Sequence, residues 1–159
     1  MNLVVVGVGD GRVSRDRNAV LVTYALGSCI ALAAHDPVSG AGGMAHFMLP
    51  DSAIDPAKAM TNPWMFADTA IPLLLRQMAE LGAEKRRLAV RAAGGAQVMD
   101  DKCVFNIGKR NCLAMRKLLW KAGIMLREEA TGGTVSRSVR LEVGTGKFWL
   151  RATEPRSRE

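Results

Sequence analysis

The stretch AVLVTYALGSCIALAAHDPVSGAGGMAHFMLP, running from Ala19 to Pro50, decides how the chain is read. Ala19 to Tyr24 is rich in β-branched side chains and reads as a strand. Leu26-Gly27-Ser28 breaks it, and Cys29 to Ala34 resumes extended structure. Asp36-Pro37-Val38-Ser39-Gly40 is a strong turn signal, because proline presets φ and glycine is free to take φ > 0. Gly43 to Leu49 is the returning strand, stopped by Pro50.

Outward from this hairpin, strand and helix signals are interspersed, with no internal repeat. Leu3 to Val8 reads as a strand, and Gly9 to Asn18 as a charged loop. Residues Asp51 to Pro63 read as a loop. Asp68 or Thr69 can cap a helix running to Leu81, with Pro72 in its first turn and Gly82 ending it. Ile71, Leu74, Leu75, Met78 and Leu81 recur at helical spacing, so one face is buried. Arg87 to Ala93 reads as a strand ending in Gly94-Gly95. A second helix covers roughly Lys109 to Ala122, with Cys112 on its apolar face. Ile124 to Glu129 is a further strand, and Ser138 to Val143 with Lys147 to Ala152 forms a hairpin. The order lacks the strict alternation of a doubly wound sheet, so the expected class is α+β with mixed β-sheets.

With 159 residues, 48% hydrophobic and 23% charged, the chain is expected to form a single domain over residues 1–152, followed by a polar tail over 153–159. No apolar run approaches the roughly 20 residues that span a bilayer. The first segment has no basic start and no small-residue cleavage site, so the expectation is a cytoplasmic protein without membrane insertion. Three cysteines, Cys29, Cys103 and Cys112, match neither a disulfide framework nor a Cys-x-x-Cys metal site. The net charge of +7 calls for an acidic partner. With aromatic residues at only 5% and no basic run interleaved with them, nucleic acid is a poor candidate.

A thiol nucleophile needs a neighbouring base and donors for an oxyanion. There are only two histidines. His35, six residues along the same strand from Cys29, would stand about 20 Å away and reads as a strand-end surface residue. If the hairpin turns with Pro37 and Val38 at its tip, paired residues sum to 75, and His46 stands opposite Cys29 with Cβ atoms about 5 Å apart. Gly27 and Ser28, just before the sulfur, permit a tight approach that exposes backbone N–H groups for an oxyanion. On spacing alone, Cys29 reads more readily as a small buried apolar residue than as a nucleophile. Thr23 on the same ground reads as an ordinary β-branched strand residue.

Leu26-Gly27-Ser28-Cys29-Ile30 followed by Gly43-Met44-Ala45-His46-Phe47-Met48-Leu49-Pro50 resembles the signature of the CheD family, chemoreceptor glutamine deamidases of bacterial and archaeal chemotaxis. Phe66 to Ile71, Gly94-Gly95-Ala96, Ile107-Gly108-Lys109-Arg110-Asn111, and Gly132-Gly133 before Arg137 are similar as well. The resemblance implies a Cys-His-Thr triad of Cys29, His46 and Thr23, and a fold similar to cysteine-dependent toxin deamidases, with mixed sheets and outer helices. It implies a thioester route from glutamine to glutamate that requires no metal or organic cofactor. Methyl-accepting chemotaxis receptors would be the substrate and a CheC-type phosphatase a second partner. The alternative is a non-enzymatic chemotaxis adaptor that binds the same partners.

Overall fold

The computed structural model describes residues 1–97 and 106–153. Cys103 and the tail beyond Thr153 lie outside the described residues. The chain runs β1 (Asn2–Val5), β2 (Asp10–Ser14), β3 (Ala19–Leu26), β4 (Ile30–His35), β5 (Gly42–Phe47), α1 (Pro56–Thr61), α2 (Ala67–Glu80), β6 (Ala89–Gly94), α3 (Ile107–Lys121), β7 (Leu126–Thr131), β8 (Ser136–Glu142) and β9 (Phe148–Thr153), with short 3₁₀ turns between some of them.

Nine strands form two sheets, β1-β3-β8-β9 and β2-β5-β4-β6-β7. The pairs β1–β3 and β6–β7 are parallel and the rest antiparallel, so this is the mixed-sheet α+β class expected from the element order. Every residue of β4 and β5 is buried, because the five-stranded sheet is covered on both faces. Side chains alternate across it. Ile30, Leu32, Ala34, Ala45 and Phe47 pack with Ile71, Leu74 and Met78 of α2 and Met115 and Leu119 of α3. Ala31, Ala33, Met44 and Ala93 face the other way, onto Leu21, Leu26, Val139 and Leu141 of the four-stranded sheet. The layers are therefore sheet, sheet and helices. Among the described residues no helix is long and apolar enough to cross a membrane.

Four local readings change. Asp10–Ser14, expected as part of a charged loop, is an edge strand on β5, and edge strands tolerate charge because only one side is paired. The six-residue helix α1 sits within the expected loop, capped by Asp55, whose side chain accepts from the Lys58 amide at 3.1 Å. Helix α2 starts at Ala67, ahead of Asp68 and Thr69, which places Pro72 inside it. Asp68 instead accepts from the Ser52 amide at 2.9 Å and its hydroxyl at 2.7 Å, tying down the preceding loop. His35, six residues from Cys29, is buried and not at the surface, with Nε2 donating to the Val143 carbonyl at 2.9 Å.

The β4–β5 turn is centred one residue later than its sequence suggests. His35 pairs with Gly42 and Ala31 with His46, so paired residues sum to 77 and not 75. Asp36 is the cause. Its carboxylate accepts from the amides of Val38 at 2.9 Å and Ser39 at 3.4 Å, and its carbonyl from Gly40 at 2.9 Å, which draws the turn onto Val38 and Ser39. A two-residue slip preserves the face on which each side chain lies, whereas a slip of one would reverse it. Cys29 and His46 thus share the inter-sheet face as diagonal neighbours, where direct opposition was expected. Such neighbours stand about 7–8 Å apart between Cα atoms, and somewhat less between Cβ atoms.

Candidate active site

His46 lies on β5 under the four-stranded sheet and is 2% exposed. Its Nδ1 is 2.8 Å from the Thr23 hydroxyl on β3. That hydroxyl has a single proton, which it donates to the Val6 carbonyl at 2.6 Å. Toward His46 it is left only as an acceptor, so Nδ1 carries the ring proton and Nε2 the lone pair. Nε2 is buried and has no hydrogen-bond partner among the described residues. Burial pushes the imidazole below the ordinary histidine range, with the Val6 carbonyl and the charge of Asp10 pulling weakly the other way. Asp10 is the ladder partner of His46 across β2 and β5, a neighbour that sequence reading assigned to a loop.

Cys29 is half-buried at the entrance to β4 and packs against the inter-sheet core. Burial raises its thiol above the usual range, partly offset by its own backbone N–H. Both shifts favour the uncharged forms of the thiol and the imidazole.

The segment before Cys29 is set by what lies on each side. Between Thr23 and Leu26 the β3–β8 register shifts by one residue, a bulge in which Ala25 takes a left-handed φ of 54°. For a residue with a Cβ this conformation costs about 1–2 kcal/mol. Beyond it, three successive carbonyls each have a partner. That of Gly27 accepts from the Ala96 amide, that of Ser28 from Asn111 Nδ2, and that of Cys29 from the Gly95 amide, each at 2.9 Å. In trans peptides the N–H points opposite to its carbonyl, so the Ser28 amide points away from Ala96 and the Cys29 amide away from Asn111. Among the described residues neither amide donates to the backbone of another residue.

Gly94-Gly95-Ala96 therefore backs the loop that carries Cys29. Gly94 has a φ of 111°, and a Cβ there would run into the Cys29 carbonyl oxygen. Arg137 fastens the same region, donating from Nη1 to the carbonyls of Gly132 at 2.8 Å and Gly94 at 3.2 Å. Cys112 lies in the helix-side core, as its place on the apolar face of α3 led one to expect. Sequence reading passed over Asn111 as a contact of the site. The available signal was a polar residue of low helix propensity beside the buried face of α3.

A family model described as CheD chemotactic sensory transduction matches residues 48–152. A probable chemoreceptor glutamine deamidase CheD of Solibacter usitatus is 59% identical over 94% of this chain and 89% of its own length. The chain belongs to the CheD family. A probable chemoreceptor glutamine deamidase CheD 1 of Syntrophus aciditrophicus is 48% identical, over 96% of both chains. The chemoreceptor glutamine deamidase CheD of Thermotoga maritima is 42% identical, over 92% of this chain and 90% of its own. The CheD family model starts two residues after His46, so Thr23, Cys29 and His46 stand outside that match.

Proposed function

We propose that this CheD chain hydrolyses glutamine side chains of chemoreceptors to glutamate and ammonia, with Cys29 as nucleophile, His46 as base and Thr23 as its orienting partner. The observation that carries this reading is the unpartnered Nε2 of His46, whose lone pair is fixed by Thr23 on the face shared with Cys29. The names of the curated relatives supply the substrate class.

In this mechanism His46 Nε2 takes the thiol proton as sulfur attacks the amide carbon of the glutamine. The oxyanion is received by the amide of Ser28, with that of Cys29 beside it, in the tight approach that Gly27 permits. The Gly27 carbonyl orients the Ser28 amide, and the Gly27 amide belongs to the preceding peptide. The imidazolium then protonates departing ammonia, leaving a thioester. Water, deprotonated by the same Nε2, hydrolyses the thioester to glutamate and the free thiol. Thr23 accepts the Nδ1 proton but carries no charge, so Asp10 across the ladder is the nearest negative support for the imidazolium.

The proposal includes the kinship in fold with cysteine-dependent toxin deamidases, supported by a nucleophile and a histidine on adjacent strands of a mixed sheet. It also includes a cytoplasmic location, a single catalytic domain over residues 1–152, and a CheC-type phosphatase as second partner. All three rest on the family membership. The test is mass spectrometry of receptor helices incubated with the protein. Conversion of glutamine to glutamate with release of ammonia is the expected result; receptor binding without conversion would favour a non-enzymatic adaptor.

Two further outcomes follow from the electrostatics. Because burial depresses the His46 imidazole, the base survives to lower pH than an ordinary histidine. The acid limb of kcat/KM should therefore have its midpoint below about 6.5, the usual histidine value. A midpoint at or above that value would contradict the depression of the imidazole. Thr23→Val removes the acceptor for Nδ1–H and frees the ring to change tautomer. A fall in kcat of about 10–100-fold with little change in KM is expected, by analogy with loss of groups that orient a ligating or catalytic histidine.

A further inference from the structure

Asn111 is fully buried in the second turn of α3. Asparagine is a poor helix former, and a buried primary amide requires partners. Its Nδ2 donates to the carbonyl of Ser28 and to that of Met48, both at 2.9 Å. Oδ1 is buried without a partner among the described residues. The orientation is dictated by chemistry: turned over, Oδ1 would face two carbonyl oxygens and neither N–H would have an acceptor there.

The two carbonyls belong to the two halves of the site. Ser28 O lies in the peptide whose N–H is that of Cys29. Met48 follows His46 by two residues and comes opposite Cys29 when the register is extended by one pair. The β4–β5 ladder itself ends at Ile30 and Phe47. Beyond that pair the Met48 amide turns to the Met65 carbonyl at 2.8 Å, so the backbones of Cys29 and Met48 are released from one another. Asn111 spans the position where the ladder stops.

We infer that Asn111 is a positioning residue: by holding the Ser28 and Met48 carbonyls together it fixes the separation of the Cys29 sulfur from His46 Nε2 and aims the Cys29 amide at the oxyanion. This rests on the roles assigned to Cys29 and His46 above. The side chain touches no substrate and moves no proton. Its effect is geometric, and small displacements of reacting groups carry large rate penalties.

Asn111→Asp keeps the shape, but its carboxylate cannot donate and repels both carbonyls. Asn111→Leu removes the donors without introducing a charge. Each is measured at matched folded fraction, judged by circular dichroism, for kcat, for KM and for the rate at which iodoacetamide alkylates Cys29, read by peptide mass spectrometry. The expected result for both is a fall in kcat of about 10²-fold with KM unchanged and slower Cys29 alkylation. Burial beside carbonyl oxygens raises the new carboxyl's pKa, and its protonated form donates again. The deficit of Asn111→Asp relative to wild type should therefore shrink as pH falls, and that of Asn111→Leu should not. Folded variants with wild-type kcat, a loss confined to KM, or identical pH behaviour of the two variants would overturn the inference. If wild type itself released no ammonia, the deamidase reading would fall. The alkylation arm would still decide whether Asn111 governs Cys29.

Discussion

Receptor helices incubated with the Cys29→Ala protein are expected to keep their glutamines, with ammonia release lower than wild type by at least about 10³-fold. The proposed route begins with the Cys29 sulfur attacking the substrate, and among the described residues no second thiol shares its face with His46. Cys112 is buried on the opposite, helix-facing side of the five-stranded sheet. Alanine at position 29 should fold well, since the site is half-buried and the carbonyl contacts to Gly95 and Asn111 are made by backbone. Unchanged circular dichroism with absent turnover is therefore the combined outcome. Deamidation persisting in Cys29→Ala would sink the thioester route.

Arg87→Ala is expected to destabilise the fold, because it leaves the buried Asp36 carboxylate without its charge partner. Asp36 is fully buried and receives Arg87 through Nε at 3.0 and 3.1 Å and through Nη2 at 2.9 Å, together with the amides of Val38, Ser39 and Glu84. The Arg87 guanidinium foremost, and these amides after it, hold the Asp36 carboxyl far below the usual carboxylate range. A depressed carboxyl contributes stability above its unfolded value, near pH 4, and loses it as pH falls further. The gap between wild type and Arg87→Ala in urea or thermal unfolding should thus be widest at neutral pH, amounting to several degrees in Tm. It should narrow below about pH 4. A gap that stayed constant into acid would show that the guanidinium acts through packing and not through Asp36. Because this carboxylate also centres the β4–β5 turn, the variant is expected to lose activity before it loses its fold.

The same aspartate explains where sequence reading stopped. The pattern from Ala19 to Pro50 gives three strands and a turn, since β-branched runs and Pro-Val-Ser-Gly act locally. The register depends on a carboxylate held from 51 residues away by Arg87, which no local pattern encodes. Elimination of His35 by distance along the strand leaves His46, and the even slip preserves the shared face. Thr23, by contrast, is an ordinary strand residue until Val6 and His46 are brought to its hydroxyl. The edge strand Asp10–Ser14 lacks a periodic apolar pattern because one side of it is unpaired. Asn111 was quoted only as part of a family-like motif. Its two acceptors lie 83 and 63 residues distant, and its meaning exists only in three dimensions.

The clamp made by Asn111 also bears on synthesis. A nascent chain of fifty residues already contains Thr23, Cys29 and His46, but not α3, β6 or β8, which hold the nucleophile loop and cover β3. Contacts this distant in sequence form late, after the intervening segments have left the ribosome and their loops have closed. Under the proposed route, a chain lacking α3, β6 and β8 would carry Cys29, His46 and Thr23 without the contacts that hold them in place.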